Sequence, residues 1–413
     1  MHKLAMKAAF LLAACSTLAV PTSPGMSQRA SGAPVARYTI DAGTLSGFAA
    51  MSSEGGMASA LAMMRGESPG PAHEMILRLG SNRDASGDPK ADHFMPTGAA
   101  LGTSVPLVTP RRAQSEGTYD FERPKGRLRI YWGCGERAGP GQPVVIDFSK
   151  MAAGQYPPDL FAPAVNIPEE WRISPSNSRT YGDWPNEKAR KHLSAQSSLL
   201  GRHRIVGNYS PEIGFELDRD FMAPLQVRNT AMPSGAYVLD WTGIPDATGY
   251  YAWVMSGQAG GGGESLDMVW WASSATRAFG GPMWDWMSPA AVATLVSAKT
   301  VMPPSQTSCT VPAEVAAAGG EAMMGNLSAF GPQRDFAFPP RPADPKIAWN
   351  PEWIARVRFR STSMFMLGMD DMAGMMAGTD DRNPDGGNPA EPVRKPKCKG
   401  LAGIAKRAAG LCE

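Results

Sequence analysis

The sequence predicts a mainly β protein with long loops and one or two short helices. Three observations carry that expectation. Apolar and polar residues alternate at a period of two in Glu74–Leu79 and Arg127–Trp132, as a half-buried strand requires. The 45 glycines and 37 prolines of the 413 residues are about a fifth of the chain, against an average nearer an eighth. Many of them fall between the alternating runs, where turns are needed, others in residues 21–35 and the tail, and together they exclude a coiled coil or helical bundle. Finally, 43% of residues are hydrophobic and 19% charged, enough apolar material for a core and too little charge for bulk disorder. A net charge of +2 does not supply the dense basic surface of a bulk nucleic-acid binder, so no nucleic-acid partner is expected.

The first element is an export signal over residues 1–20. Lys3 and Lys7 precede the apolar Ala8–Ala14 stretch, which is the layout of a secretory signal and too short to span a bilayer. Leu12-Ala13-Ala14-Cys15, followed by Ser16, resembles the lipobox of bacterial lipoproteins. That resemblance implies lipidation of Cys15 and, through the serine, the outer membrane. The alternative is an ordinary signal core, because apolar residues continue through Leu18-Ala19-Val20. Residues 21–35 are rich in proline, serine and glycine and resemble the tether of such proteins. The expected location is the periplasm or outer membrane.

A β-rich region is expected over 36–225. Strands are predicted at Glu74–Leu79, Arg127–Trp132 and Val144–Phe148, and a pair at Arg204–Tyr209 and Ile213–Leu217 joined by Ser210-Pro211. A helix is predicted over Asn186–Leu200, stopped by Gly201. A second β-rich region is expected over 226–369. It contains a helix capped by Ser288 with Pro289 at its first position, running through Ala290–Lys299. Trp353–Arg360 reads as a late strand, with Trp353, Ala355, Val357 and Phe359 inward and Arg356, Arg358 and Arg360 on a solvated face or as edge protection. Residues 370–413 are expected to be a flexible tail.

Within the second region, Leu239-x-Trp241, a short proline turn and Ala247-Thr248-Gly249-Tyr250 resemble strands B and C of fibronectin type III domains. The resemblance implies an Ig-like β-sandwich in which Trp241 fills the core beside Tyr250. The helical stretch after Ser288 departs from that pattern.

Beyond Cys15, the cysteines are Cys134, Cys309, Cys398 and Cys412. Three pairings are open; the preferred set is Cys134–Cys309 with Cys398–Cys412, as an oxidising compartment allows. The alternative is unpaired thiols.

Candidate chemistry is sparse. The sequence has no GxSxG, HExxH, Walker or dinucleotide-binding motif, and only five histidines, which weakens the case for an enzyme. A hydrolase with a carboxylate pair stays open as an alternative. Met364, Met366, Met369, Met372, Met375 and Met376 cluster at two- and three-residue spacing. Thioethers are soft ligands that select Cu(I), so a periplasmic Cu(I)-binding protein is a second alternative; the plain reading is adaptable apolar filling. Asp381, Asn383 and Asp385, followed by Gly386, match the first half of a calcium loop, but Pro392 stands where the loop needs glutamate. No other cofactor is expected. Trp270, Trp271, Trp284 and Trp286 could stack on sugars, with at least one of the adjacent pair Trp270–Trp271 exposed by strand alternation; core packing is the competing role. Together these readings point to a non-enzymatic exported envelope protein that binds an envelope polymer or another envelope protein, with a lipid anchor at Cys15 as the lipobox resemblance implies.

Overall fold

The computed structural model describes residues 32–52, 70–110, 125–152, 172–189, 191–259, 265–277, 281–320, 323–344 and 346–368. Sixteen strands dominate these residues. They are β1 (Ala36–Gly47), β2 (Ala72–Ser81), β3 (Ala91–Phe94), β4 (Ser104–Leu107), β5 (Lys125–Trp132), β6 (Val144–Asp147), β7 (Thr180–Trp184) and β8 (Gly201–Gly207). There follow β9 (Ile213–Leu217), β10 (Val227–Ala231), β11 (Tyr237–Trp241), β12 (Gly249–Ala259), β13 (Ser265–Ala272), β14 (Ser308–Val311), β15 (Met323–Phe338) and β16 (Trp353–Leu367). Three short α-helices accompany them: α1 (Phe148–Ala152), α2 (Pro289–Ser297) and α3 (Ala313–Gly319). Among the described residues no helix is long and apolar enough to cross a membrane.

The strands form one nine-stranded sheet, β6-β5-β13-β12-β15-β16-β1-β2-β7, and two smaller ones, β10-β11-β14 and β4-β3-β8-β9. The large sheet is antiparallel except at β5–β13 and β1–β16. It takes strands from both sides of residue 225, so the boundary expected there does not separate two sheets.

One face of the large sheet carries the main core. Tyr38, Ile40 and Ala42 of β1, Leu77 and Leu79 of β2, Val254 of β12 and Val357 and Phe359 of β16 are buried in one cluster. With them are Val105 of β4, Ile205 of β8, Leu239 of β11 and Val311 of β14 from the smaller sheets. Burying alternate residues on an apolar face is what fixes these strands in register. Trp241 and Tyr250 are buried with ring centroids 5.4 Å apart, and the Tyr250 hydroxyl accepts from Ile244 N at 2.8 Å.

A clamp joins the large sheet to the three-stranded one. Cys134, just after β5, is bonded to Cys309 of β14. Beside that bridge, Gly135 N donates to Thr310 O and Ala313 N to Glu136 O, so the loop covers the open edge of β14. Cys398 and Cys412 lie outside the described residues, as does Cys15.

Two local expectations are corrected. No helix forms over the described part of residues 186–200. Side chains there satisfy the backbone instead: Ser197 Oγ accepts from Ser194 N, and Asp220 Oδ1 accepts from Leu199 N, the competition with helical bonding that serine invites. The arginines of β16 are not a solvated face: Arg356 and Arg358 are buried. β16 is an interior strand, between β15 and β1, and on its second face Arg358 and Arg360 lie under the backbone of Trp286 and Trp284. The helix capped by Ser288 is present as α2, with Ser288 Oγ accepting from Ala291 N.

Candidate functional site

The second face of the large sheet, away from the main core, carries a charged region and an aromatic region besides the apolar cluster of Tyr251, Phe330, Met283 and Met287. The charged region lies over β16, β1 and β2, because register aligns Asp41 with Arg358 and Gly43 with both Arg360 and Glu74. Asp41, fully buried, accepts from Arg358 Nε at 2.7 Å and Nη2 at 2.9 Å, and from Arg78 Nη1 at 2.7 Å. A forked guanidinium matches both carboxylate oxygens, which is what makes so buried a charge tolerable. Arg356 is held by Asp335 at 2.7 Å; burial lowers its pKa against that partner. Asp183 lies beside Arg78 with its pKa raised by burial, and it accepts from the Tyr181 hydroxyl at 3.1 Å.

Two of these arginines also hold the segment that carries Trp284 and Trp286. Arg358 Nη1 donates to Trp286 O at 2.5 Å, and Arg360 Nη1 to Trp284 O at 2.9 Å. The Arg360 guanidinium sits 4.2 Å from the Trp286 ring centroid, a cation–π contact. The arginine row is therefore a positioning device for the tryptophan segment.

The aromatic region lies over β12, β13, β5 and β6. Trp270 stacks on Trp253, with centroids 5.1 Å apart and planes 20° apart, and meets Trp284 at 5.2 Å. Ile130 and Ile146 lie in the same cluster, and Trp132, Leu128, Val144, Phe148 and Met255 pack partly buried around it. Trp284 is 49% exposed, so the stack opens to solvent at its outer ring.

The four tryptophans singled out by sequence thus separate. Trp270 and Trp284 come together. Trp271 is fully buried in the core and donates to Gly133 O at 2.9 Å. Trp286 is buried under Arg360. The expectation that one of Trp270 and Trp271 is exposed is corrected: both are buried, because the sheet is covered on both faces at β13 and Trp253 and Trp284 cover Trp270. Sequence reasoning missed Trp253 and Trp132 as partners. The signal was alternation, since Tyr251, Trp253 and Met255 share one face of β12 and Leu128, Ile130 and Trp132 one face of β5.

His93 and His203 serve structure. His203 Nε2 lies 2.7 Å from Leu199 O, His93 Nε2 2.9 Å from His203 Nδ1, and Tyr38 Oη 2.7 Å from His93 Nδ1. A carbonyl only accepts, so His203 carries its proton on Nε2. His93 then donates from Nε2 to His203, and Tyr38 donates to His93. Burial lowers both histidine pKa values and raises that of Tyr38, so the chain is neutral and fully satisfied.

Among the described residues no three His, Cys, Asp or Glu side chains group as a metal site. Met364 and Met366 lie on the second face of β16. Met369, Met372, Met375, Met376, Asp381, Asn383 and Asp385 lie outside the described residues. The chain matches no protein-family model, and no curated protein sequence is similar to it.

Proposed function

We propose that this is an exported cell-envelope protein that binds a glycan polymer of the envelope through the Trp253–Trp270–Trp284 stack, without catalysis. The observation that carries the proposal is Trp284, half exposed and backed by two further indole rings. A flat ring held by neighbours offers a sugar face an ordered apolar surface at little cost in side-chain entropy. Export is supported by the signal-like N-terminus and by the Cys134–Cys309 bridge, since such bonds persist in oxidising compartments. A lipid anchor on Cys15 belongs to the same proposal; mass spectrometry of the mature N-terminus should find diacylglyceryl-Cys15, and a free terminus downstream of it would refute the anchor.

The finer reading of the fold is also part of it: residues 227–367 are a fibronectin type III-like sandwich extended at both edges of one sheet. Its support is the strand order β10-β11-β14 in one sheet and β13-β12-β15-β16 in the other, with Trp241 against Tyr250. Such a sandwich hosts many functions, so the site and not the fold carries the functional proposal.

The test is retention of the protein on insoluble peptidoglycan and on immobilised envelope polysaccharide. Trp284→Ala should weaken binding about fivefold to tenfold, of the order expected for one lost stacking contact. Retention on neither polymer, or retention that Trp284→Ala leaves unchanged, counts against the proposal.

A further inference from the structure

We propose that Met255, Met324 and Met366 form a binding site for the soft monovalent cation Cu(I) on the second face of the large sheet. Register brings them together from three adjacent strands. Met366 of β16 pairs with Met324 of β15, and Met324 pairs with Met255 of β12. Residues paired across neighbouring strands share a face with Cβ atoms about 4.5–5.5 Å apart, and the unbranched methionine side chain spans that gap easily. The next residue along the same row is Trp270, paired with Met255.

The row differs from methionine used as filler. Met323, one residue from Met324, is 1% exposed in the main core; Met255, Met324 and Met366 are each only partly buried. Met324 and Met366 belong to none of the described hydrophobic clusters, and Met255 lies at the margin of one. Three thioethers are thus aligned where an ion from solvent can reach them. Their chemistry chooses the ion: thioether sulfur is a soft, uncharged donor that favours Cu(I) and offers little to the hard cations calcium and magnesium. The Trp270 ring at the end of the row adds an electron-rich face beside a cation. Met364, two residues before Met366, packs against Leu45, Ala49 and Ala50 and is not needed for the set. Cu(I) binding does not rest on the glycan reading, although Trp270 borders both sites.

The experiment titrates the full-length protein, its free thiols alkylated and the Cys134–Cys309 bridge intact, against Cu(I) held anaerobically by bicinchoninate. The expected result is one Cu(I) per chain with quenching of tryptophan fluorescence. Met255→Leu/Met324→Leu/Met366→Leu should weaken binding about tenfold or more, since leucine keeps the volume and removes the donor. Changing Met369, Met372, Met375 and Met376 to leucine should leave affinity at this site unchanged. Circular dichroism reports whether the triple variant folds; should it not, Met324→Leu alone should weaken binding at least threefold, roughly the loss of one of three donors. No binding by the wild type, equal binding by wild type and triple variant, or loss confined to the Met369–Met376 variant overturns the proposal.

Discussion

Tyr38, His93 and His203 tie a strand of the large sheet to two strands of the four-stranded one through a single chain of hydrogen bonds. The chain works only while both rings are neutral, because protonation puts a second donor where each ring now accepts. Burial holds both pKa values below the ordinary 6.5, that of His93 well below. The unfolded chain therefore binds more protons than the folded one once pH falls below about 6.5, and stability declines by up to about 1.4 kcal/mol per pH unit for each histidine. Denaturant midpoints should fall between pH 7.5 and 5.5. His93→Gln removes one titrating group and should flatten that decline relative to wild type; parallel pH profiles would contradict the account. Carboxylates common to both proteins cancel in the comparison.

At the scale of the element, β1 shows how register and one small residue place a charged pair. Gly43 lies beside Glu74 in register, and an added Cβ would sit 2.5 Å from Glu74 Cγ and Oε1. Glycine leaves room for the carboxylate to cross the strand toward Arg360, 3.4 Å away, which in turn holds the Trp284 carbonyl. Gly43→Ala should displace Glu74 and cost about 1 kcal/mol or less, the worth of a partly exposed pair. Thermal unfolding of Gly43→Ala, Glu74→Ala and the double variant checks this. If displacement of Glu74 is the cause, the two changes are not additive and the double variant is no worse than Glu74→Ala; simple additivity would contradict it.

For the whole molecule, the Cys134–Cys309 bridge closes a span of 175 residues and pins an edge of the three-stranded sheet to the large one. Loop-closure entropy alone puts its contribution at about 5 kcal/mol, an upper figure. The neighbouring backbone bonds of Gly135 and Ala313 keep the clamp partly ordered without it. Cys134→Ser should lower the thermal midpoint and leave a smaller response to reductant than the wild type, which should lose stability on reduction. A wild-type midpoint indifferent to reductant would show that the bridge adds nothing to the fold.

What was legible in the sequence is what a short window can specify. Alternation in Glu74–Leu79 and Arg127–Trp132 marks β2 and β5, Ser288-Pro289 marks the start of α2, and Leu239-x-Trp241 with Tyr250 marks a packed aromatic pair; each depends on neighbours within a few residues. The bridge Cys134–Cys309 belongs to the preferred of the three pairing sets that counting leaves open, and the structure forms it. The tertiary structure alone decided which faces are covered. It turned the expected solvated row of Arg356, Arg358 and Arg360 into anchors, the first two buried, separated Trp271 and Trp286 from Trp270 and Trp284, and aligned Met255, Met324 and Met366 from three distant segments. The physical reason is that periodicity tells a strand that it has two faces, whereas burial of the second face depends on which remote segment packs over it and which strands lie in register beside it.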